Sequence, residues 1–394
     1  MMLAAYASLL RDHKIISDTL ARRNAPEVSP TSLPRTAGET RRIVNRVHPQ
    51  QIRWKVAEIR NETPTSSTLV LVPLTGEVPA FLPGQYLNVL VEVGGTRTSR
   101  PQSISSSPTR RGLVELTVKE KANGFVSRHL VRELAAGDEL TTSGPEGDFV
   151  FNGTRAEKRL VLIAGGSGIT PFMGMAEYVM ERYPAVSITV LYGSRAADDV
   201  IFDQRMRRLA QQYPERLKVV MVLLDPDQHW RGERGSIDRY LIARHVGAED
   251  LQRAGVFVCG PRPMQEHVLK ELDALDVPGH HVQVESSGFA DDITTLEGWP
   301  AAVTASTAFS VSLPGRKVPA RAKAGEPLIT SLERAGVHVP ALCRNGACGV
   351  CRHKLVSGEI YADPAVATRA SDRKAGYILL CTSYPLSDIA LAGS

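Results

Sequence analysis

The stretch Cys343-Arg-Asn-Gly-Ala-Cys348-Gly-Val-Cys351 places three cysteines close together near the end of a 394-residue chain, and Cys381 follows after 29 further residues. Four of the five cysteines therefore lie in the last 52 residues. Five cysteines are too few for a disulfide framework in a chain of this length, so their clustering predicts a metal site in a reducing compartment. Gly346 and Gly349 allow the backbone to wrap closely and direct N–H groups at the sulfur atoms.

Two kinds of metal site compete for these cysteines. Gaps of four and two residues, with a remote fourth cysteine, match the spacing with which plant-type ferredoxins bind a [2Fe-2S] cluster, and soft thiolates hold such clusters well. Structural zinc is the alternative, but zinc sites usually combine two separated close pairs. The spacing favours the cluster, with the ligands Cys343, Cys348, Cys351 and Cys381.

Together with Gly376-Tyr-Ile-Leu-Leu-Cys381, the cysteine stretch resembles the [2Fe-2S] ferredoxin domain fused to the C-terminus of many oxygenase reductases. The resemblance implies a β-grasp fold for residues 307–394. This segment has 11 Lys and Arg against 6 Asp and Glu, a balance of 11 − 6 = +5, whereas the family's free plant ferredoxins are acidic. We therefore expect the partner that docks here to present an acidic surface.

Upstream of this domain, residues 50–153 contain short alternating apolar runs separated by turn residues, such as Leu69-Val-Leu-Val72. The pattern predicts an antiparallel β-barrel. Within it, Arg100-Pro-Gln-Ser-Ile-Ser-Ser106 resembles the flavin-binding signature of the ferredoxin-NADP reductase superfamily, although glutamine stands where that superfamily usually has tyrosine. The resemblance implies flavin contacts from Arg100, Gln102, Ser103 and Ile104.

The motif Gly124-Phe-Val-Ser127 opens a helical stretch, and the free N–H groups of a helix start bind phosphate well. In the superfamily, Gly-x-x-Ser at this place receives the pyrophosphate of FAD. The resemblance therefore implies FAD rather than FMN, with contacts from Gly124, Val126 and Ser127. The alternative, in which Ser127 only caps the helix, is compatible with either flavin.

In residues 154–289, apolar strands alternate with helical stretches, a pattern that predicts a parallel α/β domain. One strand, beginning at Leu160, runs into the glycine-rich turn Gly165-Gly-Ser-Gly168-Ile-Thr170-Pro171 and then into a helix. Glycines allow the backbone to approach a bound anion, and the helix N-terminus attracts it. This turn also resembles the superfamily, which implies NAD(P) contacts from Gly166, Gly168, Thr170 and Pro171.

Two later strand ends complete the predicted dinucleotide site. Ser194 and Arg195 offer a hydroxyl and a guanidinium to a ribose 2′-phosphate, which favours NADPH over NADH, although Arg195 as a solvated charge is the alternative. The run beginning at Cys259 resembles the Cys-Gly-Pro motif beside the nicotinamide, where a small buried residue is the alternative role for the cysteine. The Cys-Gly-Pro motif implies contacts from Cys259, Gly260, Pro261 and Met264. Phe289, near the end of this domain, would cover the flavin ring, as an aromatic does in relatives.

The three segments compose one electron path. A nicotinamide donates two electrons as hydride whereas a [2Fe-2S] cluster accepts one at a time, so a flavin must lie between them. We expect an NAD(P)H-dependent oxidoreductase in which no residue need act as nucleophile or general base. A stand-alone flavin or quinone reductase and a non-enzymatic redox sensor are the alternatives.

The electron acceptor is expected to be a separate protein, because the sequence has no Cys-x-His pair for a Rieske centre, no haem attachment motif and no Glu-x-x-His pattern for di-iron. An oxygenase, a hydroxylase or a membrane fatty-acyl desaturase would fit. Nucleic acid is not expected as a partner, because the basic residues are dispersed and lack interleaved aromatics.

Residues 1–49 are predicted to form an amphipathic helix, over 2–23, and a linker, and residues 290–306 a second linker. The apolar stripe of the helix packs on the protein body or, alternatively, docks on a membrane surface or partner. No secretory signal and no membrane-spanning stretch is apparent. The expected location is cytoplasmic, with peripheral membrane contact through residues 1–23 as the second interpretation.

Overall fold

The computed structural model describes residues 51–121, 124–153, 158–286, 292–364, 366 and 368–392. The predicted N-terminal helix with its linker, and Phe289, lie outside the described residues. In the described part of the chain, no helix is long and apolar enough to cross a membrane.

Six antiparallel strands form the first domain, in the order β4-β3-β6-β1-β2-β5. A bridge between Ile104 and Leu116 joins the two edges, so the sheet closes into a barrel. Alternate residues of the strands point inward, and Trp54 and Leu87 are fully buried there. The strands are β1 (Ile52–Thr63), β2 (Ser66–Pro73), β3 (Tyr86–Val93), β4 (Thr96–Ser103), β5 (Val114–Lys119) and β6 (Glu139–Glu146).

A helical segment between β5 and β6 covers one side of the barrel. It consists of α1 (Phe125–Arg128), which continues into a π-helical turn (His129–Glu133). Val126 and Leu130 from this segment are buried in the barrel core. The Gly-x-x-Ser motif is thereby fixed to the rim of the barrel.

The second domain is a six-stranded parallel sheet in the order β10-β9-β8-β7-β11-β12. Alternate residues of β7 belong to two different hydrophobic clusters, so both faces of the sheet are covered, as a parallel sheet requires. The strands are β7 (Arg159–Gly165), β8 (Ser187–Ser194), β9 (Leu217–Leu223), β10 (Glu233–Arg234), β11 (Gly255–Gly260) and β12 (Val282–Ser286).

Strand order reverses between β7 and β11, which lie side by side although three strands separate them in sequence. In open α/β sheets, ligands bind at such a switch point, beyond the carboxyl ends of the strands. The helices are α2 (Thr170–Arg182), α3 (Asp203–Gln212), α4 (Arg239–Val246), α5 (Ala248–Leu251) and α6 (Arg262–Asp273), with 3₁₀ turns at Gly166–Ile169, Ala197–Asp199, Gly279–His281 and Ile293–Thr295.

The third domain packs helix α7 (Leu328–Arg334) on a five-stranded sheet in the order β14-β13-β19-β15-β17, the arrangement of a β-grasp fold. Leu328 and Leu332 are fully buried against the sheet. The remaining elements are β13 (Ala308–Ser312), β14 (Ala320–Lys323), β15 (Arg352–Ser357), β17 (Tyr377–Leu379), β19 (Ile389–Leu391), the pair β16 (Ile360–Ala362) and β18 (Ser383–Pro385), and α8 (Ala370–Lys374). The predicted fold class of barrel, parallel α/β domain and β-grasp domain is confirmed.

The barrel and the parallel-sheet domain are joined by a buried ion network. Arg205 of α3 donates to Glu115 of the barrel at 2.6 Å and to Glu177 of α2 at 2.8 Å. Nearby, a Cβ added to Gly174 of α2 would lie 2.5 Å from the carbonyl oxygen of Ser106, so only glycine allows this approach. The loop that follows β4 is therefore held against α2.

Candidate functional site

The structure brings the four predicted cluster ligands into two pairs of neighbouring thiols. Cys343, Cys351 and Cys381 are buried, and Cys348 is exposed. The thiols of Cys343 and Cys348 hydrogen bond to each other, as do those of Cys351 and Cys381. Among the described residues, no three His, Cys, Asp or Glu side chains converge as ligands of one metal ion.

The backbone around these thiols is arranged for anionic sulfur. The N–H of Cys348 donates to the Sγ of Cys343 at 3.3 Å, and the N–H of Gly346 donates to the thiol of Cys381. The hydrogen bond with Cys343 lowers the pKa of Cys348 to about 5. Gly346 has φ +86°, and a Cβ added there would lie 2.2 Å from a methyl carbon of Val366. The loop therefore fits a thiolate-bound cluster and requires glycine at this position.

Arg344, next to Cys343, has the left-handed φ of +53°. Its guanidinium donates to both carboxylate oxygens of Glu333 on α7, and the side chains are only 6% and 4% exposed. Such a conformation is uncommon for a non-glycine residue and persists where the surroundings hold it. The buried ion pair with Glu333 supplies that support for the loop of residues 343–351, the cysteine loop.

Two hydrogen bonds hold the β-grasp domain against the barrel, one of them just before the cysteine loop. Asn88 of β3 donates to the carbonyl of Ala341 at 3.1 Å, and Thr98 of β4 donates to Glu333 at 2.9 Å. The pKa of Tyr86 is raised, mainly by burial and further by Glu146, Cys343 and Cys348.

A third contact links the β-grasp domain to the parallel-sheet domain. Arg262, the first residue of α6, donates to both carboxylate oxygens of Asp363 at 2.8 and 2.6 Å, and Asp363 is 3% exposed. The N–H of Asp363 donates to the carbonyl of Thr382, which follows Cys381. The third domain is thus tied to both of the others near its cysteines.

The predicted flavin residues Arg100, Gln102 and Ser103 lie in β4, and Ile104 forms the bridge that closes the barrel. Arg100 donates to the carbonyl of Ser99 at 2.6 Å and to the hydroxyl of Thr98 at 2.7 Å. Burial, and then the nearby Arg344, lower the pKa of Arg100 to about 10. Both of these hydrogen bonds go to neutral oxygens, so the guanidinium of Arg100 is suited to bind an anion.

Tyr86 is a candidate flavin contact that the sequence analysis missed. It lies directly opposite Ser103 in the β3–β4 register, and opposed residues place their side chains on the same face of a sheet. An aromatic ring is therefore available beside the predicted flavin loop, although Gln102 replaces the tyrosine usual in the superfamily. Only the pairing of strands β3 and β4 reveals it.

At the predicted pyrophosphate motif, the hydroxyl of Ser127 donates to the carbonyl of Gly124 at 3.1 Å and accepts from the N–H of Lys121 at 3.0 Å. A Cβ added to Gly124 would lie 2.4 Å from that hydroxyl, and Val126 is buried in the barrel core. Ser127 thus ties this turn together by hydrogen bonds to its own backbone.

The two glycine-rich strand ends of the parallel sheet touch at the switch point. A Cβ added to Gly168 would lie 2.1 Å from the carbonyl oxygen of Cys259, and one added to Gly165 would lie 2.2 Å from the sulfur of Met264. A Cβ added to Gly260 would lie 3.0 Å from the backbone nitrogen of Gly165. The close approach leaves no room for a side chain at Gly165 or Gly168, and a glycine-rich turn of this kind lets a bound anion come close to the backbone.

The other predicted dinucleotide residues have distinct surroundings. Thr170 donates to the carbonyl of Ser167 at 2.9 Å, and Gly166 has φ +52°. Ser194 is buried and donates to the carbonyl of Asp199 at 3.1 Å, whereas Arg195 is exposed. Pro171, the second residue of α2, and Cys259, near the end of β11, are buried, and Pro261 immediately precedes α6.

Glu285 is a half-buried acid that the sequence analysis did not identify. It is paired with Cys259 in the β11–β12 register, and burial, followed by the charge of Asp148, raises its pKa to about 7. Cys259 itself is buried in the core of this domain, where burial raises its pKa far above the ordinary value. Cys259 is therefore held as a neutral thiol beside an acid that titrates near neutrality.

Comparisons with known proteins match each domain separately. Residues 61–151 match the oxidoreductase FAD-binding domain family, residues 162–270 the oxidoreductase NAD-binding domain family, and residues 312–386 the 2Fe-2S iron-sulfur cluster binding domain family. The NADH oxidoreductase HCR of Escherichia coli is 31% identical over 340 residues, which cover 86% of this chain and 97% of that protein. The chain belongs to the ferredoxin-NADP reductase superfamily.

Other similar proteins agree with this assignment. The ferredoxin reductase component of the 3-ketosteroid-9-alpha-monooxygenase of Mycolicibacterium smegmatis is 31% identical over 356 residues, covering 86% of this chain and 95% of that one. The structure of phthalate dioxygenase reductase has a TM-score of 0.66 at 24% identity, covers 87% of this chain and 98% of its own, and shows the shared fold. This reductase combines FAD, NAD(P)H and a [2Fe-2S] cluster, and is an NAD(P)H-dependent flavin iron–sulfur oxidoreductase.

The raised pKa of Glu285 predicts a pH-dependent stability. Between pH 4.5 and 7 the folded reductase retains a proton that the unfolded chain loses, so stability falls as pH rises through this window. The loss amounts to at most about 3 kcal/mol. We expect Glu285→Gln, which cannot ionise, to gain stability relative to the parent between pH 5 and pH 8, as measured by urea unfolding. A difference between the two proteins that is the same at both pH values would contradict this account.

Proposed function

We propose that this reductase supplies electrons to a separate oxygenase, hydroxylase or fatty-acyl desaturase component. The observation that carries the proposal is the position of the cysteine loop. Asn88 of the barrel donates to Ala341, just before Cys343, and Thr98 donates to Glu333 of α7, while Cys348 remains exposed. Such a loop can receive electrons on one side and release them on another. The monooxygenase reductase named above supports the same role.

The chain's own residues have the task of holding and orienting the redox groups. We assign the cluster to the four cysteines, the flavin to the β4 residues with Tyr86 beside them, and the FAD pyrophosphate to the Gly124–Ser127 turn. The glycine turns that end β7 and β11 would hold the nicotinamide dinucleotide. Bound FAD supplies the conversion of two-electron to one-electron transfer. The protein assists by excluding water and fixing geometry, without a nucleophile.

The acceptor is proposed to dock beside Cys348. A cavity of about 310 Å³ there is lined by Gly349, Val350, Arg352, Arg369 and Asp372. Arg352 pairs with Asp372 at 2.9 Å, while Val350 is 38% exposed and Arg369 is exposed. An apolar side chain flanked by arginines fits an acidic surface with a small apolar centre.

The electron path predicts the outcome of an anaerobic titration with NADPH and NADH, followed by absorbance and low-temperature EPR. Both the flavin bands and the cluster bands should bleach, and the reduced cluster should give an EPR signal. Cys348→Ser should abolish or alter that signal but leave ferricyanide reduction within about twofold, because ferricyanide accepts electrons directly from flavin. Flavin reduction without any cluster signal in the parent protein would contradict the path.

Arg195 is proposed to select NADPH, because its exposed guanidinium follows β8, where a ribose 2′-phosphate would lie. We expect Arg195→Gln to raise the KM for NADPH about tenfold, the usual effect of losing one charge-assisted contact, and to leave the KM for NADH within twofold. Arg253→Gln, a change at another exposed arginine of the same domain, is the control. Equal effects on both donors would rule out this role.

The docking surface predicts a dependence on ionic strength. Reduction of an acidic one-electron acceptor, such as cytochrome b5, should slow as salt is added, whereas reduction of the basic cytochrome c should not. Arg369→Glu should slow reduction of the acidic acceptor further, and Arg321→Glu, on an exposed residue of β14, should change it less. Faster reduction of the acidic acceptor at high salt would refute the electrostatic model of docking.

A further inference from the structure

Helix α7 of the β-grasp domain ends beside the arginine that is proposed to bind the flavin. Arg100 donates to the Thr98 hydroxyl at 2.7 Å, and that hydroxyl donates to Glu333 at 2.9 Å. Glu333 in turn accepts from Arg344, next to the cluster ligand Cys343. A continuous line of hydrogen bonds therefore joins the flavin-binding strand to the cysteine loop.

Arg334, which follows Glu333 in α7, lies near the same aromatic ring as Arg100. The guanidinium of Arg100 lies 5.6 Å from the centroid of the Phe125 ring, and that of Arg334 lies 5.9 Å from it. Phe125 belongs to the Gly-x-x-Ser motif proposed to receive the FAD pyrophosphate. Two arginines from two domains thus flank one aromatic ring at this motif.

The charges gathered here do not balance. Three arginines (Arg100, Arg334 and Arg344) meet two carboxylates, because Glu333 pairs with Arg344 and Glu326 pairs with Arg334 at 2.5 Å, leaving 3 − 2 = +1. Burial and the two neighbouring arginines lower the pKa of Arg100, which indicates that its charge is under-compensated. An anion bound beside Phe125 would supply the missing negative charge.

We propose that the β-grasp domain completes the FAD site: Glu333 positions Arg100 through the Thr98 hydroxyl, and Arg334 adds a second cation for the pyrophosphate. This inference rests on the proposed assignment of Arg100 to FAD. It has a thermodynamic consequence, because a ligand held by residues of two domains stabilises the contact between them. FAD binding therefore also holds the cysteine loop on the barrel.

The test uses the full-length protein with its cluster intact and its flavin removed, titrated with FAD and with riboflavin, which has no phosphate. We expect Thr98→Val to weaken FAD binding about tenfold, since it removes a hydrogen bond to a charged group. Arg334→Gln should weaken it several-fold and lessen its dependence on salt. Riboflavin affinity should change by less than twofold in both variants.

Matched controls separate positioning from a general loss of stability. Thr142→Val removes another buried barrel threonine, whose hydroxyl accepts from Trp54 at 2.8 Å, and Arg321→Gln removes an exposed arginine of the β-grasp domain. Both should keep the parental FAD affinity. Parental FAD affinity in Thr98→Val and Arg334→Gln, with weakened binding in Arg100→Gln, would overturn the inference alone. Parental affinity in Arg100→Gln as well would overturn the proposed flavin site on which it rests.

Discussion

The packing of the cysteine loop against the FAD-binding barrel is the constraint on which electron transfer in this protein depends. Hydrogen bonds from Asn88 to Ala341, just before the loop, and from Thr98 to Glu333 of α7 fix that contact. Neither the barrel nor the β-grasp domain provides the arrangement alone, since each partner of these bonds comes from a different domain. The reductase therefore depends on relative placement of its domains rather than on a reactive side chain.

A second constraint is the close approach of strand ends at the switch point of the parallel sheet. Gly168 and Gly165 would collide with Cys259 and Met264 if they carried a Cβ. The approach positions backbone groups where a dinucleotide binds in this fold. It also places Arg262 at the start of α6, from which it reaches Asp363 of the β-grasp domain. An ion pair thus joins the β-grasp domain to the helix that begins beside the predicted nucleotide site.

The fold class and the candidate ligands could be predicted from the sequence because their signals are local. Cysteine spacing, alternating strands and strand–glycine–helix junctions each occupy a few consecutive residues. By contrast, Thr98 and Glu333 are 235 residues apart, and Arg262 and Asp363 are 101 apart, so only the folded chain brings them together. Tyr86 and Glu285 were missed for the same reason, since strand register places them beside Ser103 and Cys259. The roles assigned to individual flavin and nucleotide residues stay predictions.

The central claim is that the β-grasp domain is already docked where it receives electrons from the flavin. The rate of electron transfer from reduced flavin to the cluster, followed by stopped-flow absorbance in buffers of increasing glycerol content, tests this claim most directly. A docked arrangement predicts a rate that does not change with viscosity, because no domain has to move. A rate that falls in proportion to viscosity would show that the β-grasp domain must travel before each transfer, and would contradict the claim.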